Sequence, residues 1–269
     1  MVHLIPYLVV SLIYLAVAAD FWRSGKIINP ADSLKLHSAL IALGLMLHGW
    51  LLYRDIFSVG SVNLGFYYAL SAIFWLTALI YWLANLKHQI NSLQAFVLPP
   101  AAVFVLLPAF SIKNHYLTAS ESGLFMAHIG IAILAYSLFT FATLHALLMA
   151  IAERNLHNKP THIKLPDFPP LMVMESLLFR VISVGFILLT FTLLSGMLFS
   201  EQIFGKPLQF NHKTIFSIAA WVIYGWLLYG RYRFGWRGIK AIRWTLSGFA
   251  LLLLAYLGSK FILEVLLNR

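Results

Sequence analysis

The chain has 269 residues, of which 61% are apolar and only 10% charged, and its mean hydropathy is +0.84. Soluble globular domains carry about a quarter charged residues, so this composition excludes a mainly soluble protein. The formal net charge is +10, but the placement of the basic residues, given below, predicts a membrane protein without a nucleic-acid partner. Cysteine is absent, which excludes disulfides, a thiolate heme ligand and covalent heme attachment within this chain.

Eight apolar segments, each about long enough to cross a bilayer, follow one another along the chain. They are continuous over about 20 residues and do not alternate, which favours helices over a β-barrel. The predicted spans are Leu4–Phe21, Leu36–Tyr53, Leu64–Ala84, Leu93–Phe110, Leu124–Ala152, Leu177–Phe199, Thr214–Tyr229 and Ile242–Leu267. We therefore predict an all-α polytopic membrane protein, a bundle of eight transmembrane helices in one domain over residues 1–269, with an uncleaved first helix.

The basic residues are distributed unequally between the two sides of the membrane. If the loops alternate from an outside N-terminus, one side receives twelve of the nineteen lysines and arginines: Arg23, Lys26, Lys35, Lys87, Arg154, Lys159, Lys164, Arg231, Arg233, Arg237, Lys240 and Arg243. This excess marks the cytoplasmic face. The pattern predicts extracytoplasmic termini and a multi-pass protein of the bacterial inner (plasma) membrane, whose cluster Arg231–Arg243 is attracted to lipid headgroups.

Prolines predict two interruptions of regular structure. Pro99, Pro100 and Pro108 fall inside the fourth span and should kink or break that helix. The connection from about Arg154 to Glu175 holds four more prolines and predicts a cytoplasmic linker.

Histidines are the main candidates for function. Five of the ten lie in spans or at their ends: His37, His48, His128, His145 and His212. His48 follows His37 by eleven residues, so it lies about 16 Å further along the same helix face, and His145 lies about 25 Å deeper than His128. The pattern predicts an outer layer of His48, His128 and His212 and an inner layer of His37 and His145.

Heme suits this arrangement best. Imidazoles from facing helices can bind iron from both sides while apolar side chains cover the porphyrin. A free metal ion prefers carboxylates, of which the spans hold few, all at their ends: Asp20, Glu175 and Glu264. We predict that the outer layer binds heme b, with the iron held by His128 and either His48 or His212, and that His37 and His145 are secondary candidates. For any single histidine the alternative is an interhelical hydrogen bond.

Several motifs resemble the cytochrome c assembly protein family, of the kind that includes the CcsA and HemX proteins. In chain order these are Leu124-Phe-Met-Ala-His128-Ile-Gly130, Met174-Glu175, Leu194-Ser-Gly-Met-Leu-Phe199, His212-Lys213-Thr214, Ala220-Trp221, Tyr229-Gly-Arg231, Gly235-Trp-Arg-Gly238 and Ala255-Tyr256-Leu-Gly258-Ser259. The series is similar to the YpjD-like inner-membrane branch and covers residues from about 36 to the end. The resemblance implies heme handling in cytochrome c biogenesis, with His128 at the histidine that opens the family helix.

Three departures from the family pattern predict that this chain is not a complete heme lyase. The tryptophan-rich segment of lyases corresponds here to Pro207–His212, which contains no tryptophan. The histidine at the end of the following lyase span falls on Tyr229, and the histidine beyond the last helix has no counterpart before Arg269. The resemblance therefore implies an accessory role.

Two further functions remain open. By the same resemblance, the protein could be an accessory or regulatory protein for divalent-cation (cobalt or magnesium) tolerance, or it could be a scaffold subunit without heme. No acid–base pair, nucleophile or phosphate-binding loop stands out, so no enzyme is predicted. The expected partners are the lipid bilayer and membrane proteins of cytochrome c maturation.

Overall fold

The computed structural model describes residues 4–23, 30–58, 61–63, 65–88, 91–111, 116–117, 123–157, 169–198 and 212–258. Its α-helices in these ranges are α1 (Ile5–Arg23), α2 (Pro30–Ile56), α3 (Phe66–His88), α4 (Asn91–Phe104), α5 (Gly123–His157), α6 (Leu171–Leu198), α7 (His212–Phe234) and α8 (Ile239–Leu252). Each predicted span coincides with one of them. The predicted all-α polytopic membrane fold is confirmed.

Five of these helices, α1, α2, α3, α5 and α6, are long and apolar enough to cross a membrane. The fourth span is shorter and irregular, and α8 continues as a π-helix from Leu253 to Gly258. The part of the eighth predicted span beyond Gly258 lies outside the described residues, as does Phe199. Most of the Arg154–Glu175 connection also lies outside them.

Helices α1 to α4 form one half of the bundle. α1 packs against α2 and α4, and α3 packs against the same two helices. The shared core includes Tyr14, Ile41 and Leu98, which are all buried. Gly44 allows the close approach of α1, because a Cβ at this position would lie 2.7 Å from the Tyr14 ring.

The predicted interruption of the fourth span is present, and α1 compensates for it. α4 contains Pro99 and Pro100 and ends at Phe104, after which a 3₁₀ turn runs from Leu107 to Phe110. The Leu106 amide donates to the carbonyl of Val103, three residues back. Ser11 Oγ in turn donates to the carbonyl of Ala102 at 2.9 Å. A backbone acceptor at an irregular point in the bundle is thus satisfied by a neighbouring helix.

Helices α5 to α8 form the other half. α5 packs extensively on α6 and also contacts α8, while α7 packs on α6 and α8. Tyr224 of α7 lies at the centre: its ring stacks on Phe139 with centroids 4.0 Å apart, and its hydroxyl donates to the carbonyl of Thr245 at 3.2 Å. Gly248 leaves room for this ring, because a Cβ there would lie 2.8 Å from it.

The two halves meet between α3 and α5. Thr77 Oγ1 of α3 contacts the carbonyl of Ser137 of α5 at 3.2 Å, and the Tyr81 ring stacks on Phe141 at 3.9 Å. Near the beginnings of both helices, apolar side chains of α2 and α3 pack against α5. The halves therefore share one hydrophobic core.

A small antiparallel sheet lies beyond the end of α2 and was not predicted. Its strands are β1 (Phe57–Ser58), β2 (Ser61–Asn63) and β3 (Tyr116–Leu117), in the order β1-β2-β3. Val62 pairs with Phe57 on one side and with Leu117 on the other. Strands this short leave too little alternating pattern to be recognised from the sequence.

We predict that Gly248→Ala destabilises the protein, because the new methyl group must displace the buried Tyr224 ring. Overpacking of this kind costs about 1–3 kcal/mol, which should lower the thermal unfolding midpoint in detergent by several degrees. The matched control is Gly130→Ala in α5, where nothing lies within 4 Å of the added Cβ. Equal midpoints for the two variants would contradict the close α7–α8 contact.

Candidate functional site

Contacts at the helix ends place the histidines at two levels of the bundle. His48 lies against Ser71, near the beginning of α3, and His128 lies against Ser195, near the end of α6. At the opposite end, His37 contacts Asp20 near the end of α1. His145 contacts Met174 near the beginning of α6.

His145 is fully buried, and both of its ring nitrogens have partners. Nε2 lies 2.9 Å from the carbonyl oxygen of Met174, which can only accept, so Nε2 carries the proton. Nδ1 lies 3.2 Å from Tyr81 Oη and therefore accepts from this hydroxyl. These bonds link α3, α5 and α6. They give His145 a structural role that uses both of its nitrogens.

His48 is 1% exposed and also has both nitrogens in contact with hydroxyls. Nε2 lies 2.9 Å from Ser71 Oγ of α3, and Nδ1 lies 3.5 Å from Tyr14 Oη of α1. The ring is therefore held inside the α1–α4 half. In this conformation it presents no open nitrogen towards α5.

An apolar cluster lies between the α2–α3 pair and α5 at the same end. Its members are Leu52, Ile56, Tyr68, Ala69 and Ala72, packed against Met126, Ile129 and Ile133. The three α5 residues recur at spacings of three and four and share one helix face, whereas His128 lies on another face, towards α6. These contacts do not bring His48 and His128 together, and their pairing stays a prediction.

His37 differs from His48 and His145 because one nitrogen has no partner. Its Nε2 lies 2.7 Å from a carboxylate oxygen of Asp20 and so donates, which leaves the lone pair on Nδ1. Nδ1 is buried without a hydrogen bond. The Phe21 ring packs at 4.6 Å.

His128 contacts Ser195 of α6. Ser195 Oγ lies 2.8 Å from His128 Nδ1 and 3.1 Å from the carbonyl oxygen of Thr192, to which it can donate. A serine hydroxyl that donates to this carbonyl accepts from the imidazole, and that arrangement puts the proton of the ring on Nδ1. A neutral ring protonated on Nδ1 is the form that binds a metal ion through Nε2.

The α6 residues next to His128 have small side chains. Gly196 faces the ring, since a Cβ at that position would lie 3.4 Å from His128 Cε1. The imidazole itself is half-buried. Ser195 and Gly196 belong to the Leu194–Phe199 motif, so the sequence already indicated this segment. Only the packing of α5 on α6 shows that these two residues contact His128.

The start of α7 reaches the level of His128. α6 and α7 run antiparallel: Arg231 pairs with Glu175, and Trp221 Nε1 donates to Thr190 Oγ1 at 2.8 Å. Continuing this register by helical geometry places Phe216 at about the level of Ser195, and Thr214 and Lys213 at about the level of Met197 and Leu198. His212, the first residue of α7, is exposed at the same end.

No group of three or more His, Cys, Asp or Glu side chains that could hold a metal ion occurs in the part of the chain that the structure describes. Four of the five histidines instead sort into two kinds. His48 and His145 have both ring nitrogens in contact with hydroxyl or carbonyl groups, whereas His128 contacts Ser195 through Nδ1 and His37 contacts Asp20 through Nε2. His212 is set apart by its exposure at the start of α7.

The fold and its apolar helices define a multi-pass, all-α membrane protein. Residues 36–267 match the family described as Cytochrome C assembly protein. The chain belongs to this family.

Individual relatives agree with this assignment. The chain is 33% identical over 174 residues to the inner membrane protein YpjD of Escherichia coli strain K12, which covers 64% of this chain and 63% of the relative. It thus spans less than two thirds of that relative. The chain is also 22% identical over 266 residues to the cytochrome c biogenesis protein CcsA of Prochlorococcus marinus strain AS9601, covering 88% of this chain and 85% of the relative. The predicted inner-membrane location is confirmed.

We predict that His145→Leu destabilises the fold by about 1–3 kcal/mol, because it leaves the Tyr81 hydroxyl and the Met174 carbonyl without partners. The measurement is unfolding of the detergent-purified protein. In a double-mutant cycle with Tyr81→Phe, the losses of unfolding free energy in the two single variants should sum to more than the loss in the double variant. Strict additivity would mean that the Tyr81–His145 hydrogen bond contributes nothing.

Proposed function

We propose that this protein is an accessory heme-handling protein of cytochrome c assembly that binds heme at its outer end through His128. The single observation that carries the proposal is the contact of His128 Nδ1 with Ser195 Oγ at 2.8 Å, which orients the imidazole from α6. An iron-binding histidine commonly donates its other ring nitrogen to a neighbouring acceptor. Ser195 supplies that acceptor.

Family membership supports the choice of cofactor. The CcsA relatives are named for cytochrome c biogenesis, and assembly of a c-type cytochrome requires heme. The chain itself has no cysteine that could bind heme covalently or through a thiolate. With no thiolate in the chain, histidine is the side chain that we propose as the ligand of heme iron.

The residues around His128 fit a heme ligand, and those around His48 do not in this conformation. We propose that His128 and His212, which lies at the same end on α7, would hold the iron of bound heme. The bound heme would be the group that cytochrome c assembly requires. His48 could serve only after its contacts with Ser71 and Tyr14 are broken. The type of heme, which we take to be heme b, is part of the proposal.

Lyase chemistry is not part of the proposed function. The position of a lyase histidine is taken by Tyr229, which is half-exposed and packs on Trp226 at 5.6 Å and on Phe234 at 5.9 Å. This residue lies near Arg231, at the end of the bundle opposite to His128. The segment Pro207–Asn211, which lacks the lyase tryptophans, lies outside the described residues.

We predict that the purified protein binds added hemin with a Soret band of bis-histidine type and that His128→Ala abolishes this band. Ser195→Ala should weaken hemin binding roughly 10- to 100-fold, because the orienting acceptor of a ligand histidine is lost. The measurement is a hemin titration followed by absorbance. If His212 is the second ligand, His212→Ala should change the band to that of a five-coordinate heme, and His48→Gln should not.

The matched control for the serine is Ser183→Ala in the same helix. Ser183 Oγ donates to the carbonyl of Phe179, away from His128, so this variant should bind hemin like the wild type. Full heme occupancy in His128→Ala would refute the proposed ligand. Equal weakening by Ser183→Ala and Ser195→Ala would show that the effect is not one of orientation.

The accessory role makes a separate prediction. When the protein is produced with an apocytochrome c in cells that lack a heme lyase, no covalently bound heme should appear on the cytochrome in a heme-stained gel. An active heme lyase serves as the positive control. Covalent heme formed by this protein alone would contradict the proposal and establish an enzyme.

A further inference from the structure

The segment Arg231–Arg243, which joins α7 to α8, is called the basic hairpin. It is folded tightly against the bundle. Gly235, with φ of 64°, ends α7 in the left-handed region that favours glycine. The amide of Trp236 then donates to the carbonyl of Gly230 at 3.2 Å. The absence of a side chain at Gly230 lets the Trp236 ring lie over it.

A buried carboxylate fixes the hairpin to α6. Glu175 Oε1 accepts from Arg231 Nη1 at 2.5 Å and from Arg237 Nε at 2.9 Å. Arg231 also donates to the carbonyl of Trp236 at 3.2 Å, and its guanidinium lies 4.7 Å from the centre of the Phe179 ring. Arg231 is therefore held by three contacts, with a carboxylate, a carbonyl and an aromatic ring. Because a single carboxylate is shared by two guanidinium groups, this cluster keeps a net positive charge.

Three more cations of the hairpin point outward. Arg233, Lys240 and Arg243 are all exposed. Among the residues that the structure describes, the acidic groups near the hairpin are Glu175, which is already shared, and Glu153 of α5, whose Oε1 would lie 3.7 Å from a Cβ at Gly238. Even with both carboxylates counted, the five basic residues exceed the two acidic ones. The hairpin therefore presents uncompensated positive charge.

Exposed apolar and aromatic side chains lie among these cations. Tyr232 is 91% exposed, Phe234 59% and Ile239 48%. Behind them, the rings of Trp236 and Trp244 stack with centroids 5.9 Å apart and planes tilted by 13°. Cationic groups beside large amphipathic rings are typical of the layer where lipid headgroups meet the hydrocarbon.

We propose that the basic hairpin is a binding site for an anionic phospholipid of the cytoplasmic leaflet. The headgroup phosphate would contact Arg233, Lys240 and Arg243, and the acyl chains would lie along Phe234 and Ile239. Charge and position both favour an anionic phospholipid at this site. The hairpin lies at the end of the bundle that carries most of the exposed basic residues, including Lys35, Lys87 and Arg154. That end should face the leaflet whose anionic lipids attract cations.

The test compares two triple variants of the full-length protein in detergent, each of which removes three positive charges from the same end of the bundle. The site variant carries Arg233→Gln, Lys240→Gln and Arg243→Gln. The control variant carries Lys35→Gln, Lys87→Gln and Arg154→Gln. Each protein is incubated with equal parts of phosphatidylglycerol and phosphatidylcholine, and the bound lipids are counted by native mass spectrometry.

We expect wild type and control variant to retain phosphatidylglycerol in preference to phosphatidylcholine, and the site variant to lose at least roughly tenfold in this preference. Equal loss in both variants would overturn the proposal, because any basic residue would then serve. A wild-type protein that retains both lipids equally would also overturn the proposal. An acidic protein partner would then be the alternative ligand of this surface. Hemin binding at His128 is measured separately, at the other end of the bundle, so either proposal can fail alone.

Discussion

The constraint on which this structure depends is that a polar group inside a bilayer must find its partner within the protein. Ser11 meets this requirement for the Ala102 carbonyl at the irregular end of α4. His145 meets it by joining α3, α5 and α6 through Tyr81 and Met174. Glu175 meets it by taking two guanidinium partners from the hairpin after α7. Polar side chains thus connect helices that apolar packing alone would orient less precisely.

The same constraint distinguishes the histidines by their contacts. A neutral imidazole has one donor and one acceptor, so a ring with both nitrogens bonded is fully committed. His48 and His145 are of this kind. His128 contacts Ser195 through Nδ1, and His37 contacts Asp20 through Nε2. The neighbours of each ring therefore guide the proposal of a ligand more sharply than depth in the membrane does.

The two ends of the bundle have different chemistry. His128, His212 and Lys213 lie near the end where α6 finishes and α7 begins, and we assign heme handling to this end. The opposite end carries the Glu175 ion pairs and the basic hairpin, which suit a layer of lipid headgroups. Tyr229 lies at this second end, where the lyase pattern has a histidine. The role that we propose for the protein is therefore an accessory one, beside a heme lyase.

The sequence by itself determined the membrane class, the helices and the family, because continuous apolar segments and ordered motifs are local properties of the chain. It also predicted an interruption of the fourth span from Pro99, Pro100 and Pro108; the helix continues through the first two prolines and ends before the third. It could not decide which histidines meet, since depth along a helix does not fix the direction of a side chain around it. Only the tertiary structure turned His128 towards Ser195, enclosed His48 between Tyr14 and Ser71, and placed an apolar cluster between them. These contacts depend on the rotation of each helix about its axis and on packing between distant segments. No single segment of the sequence determines either of them.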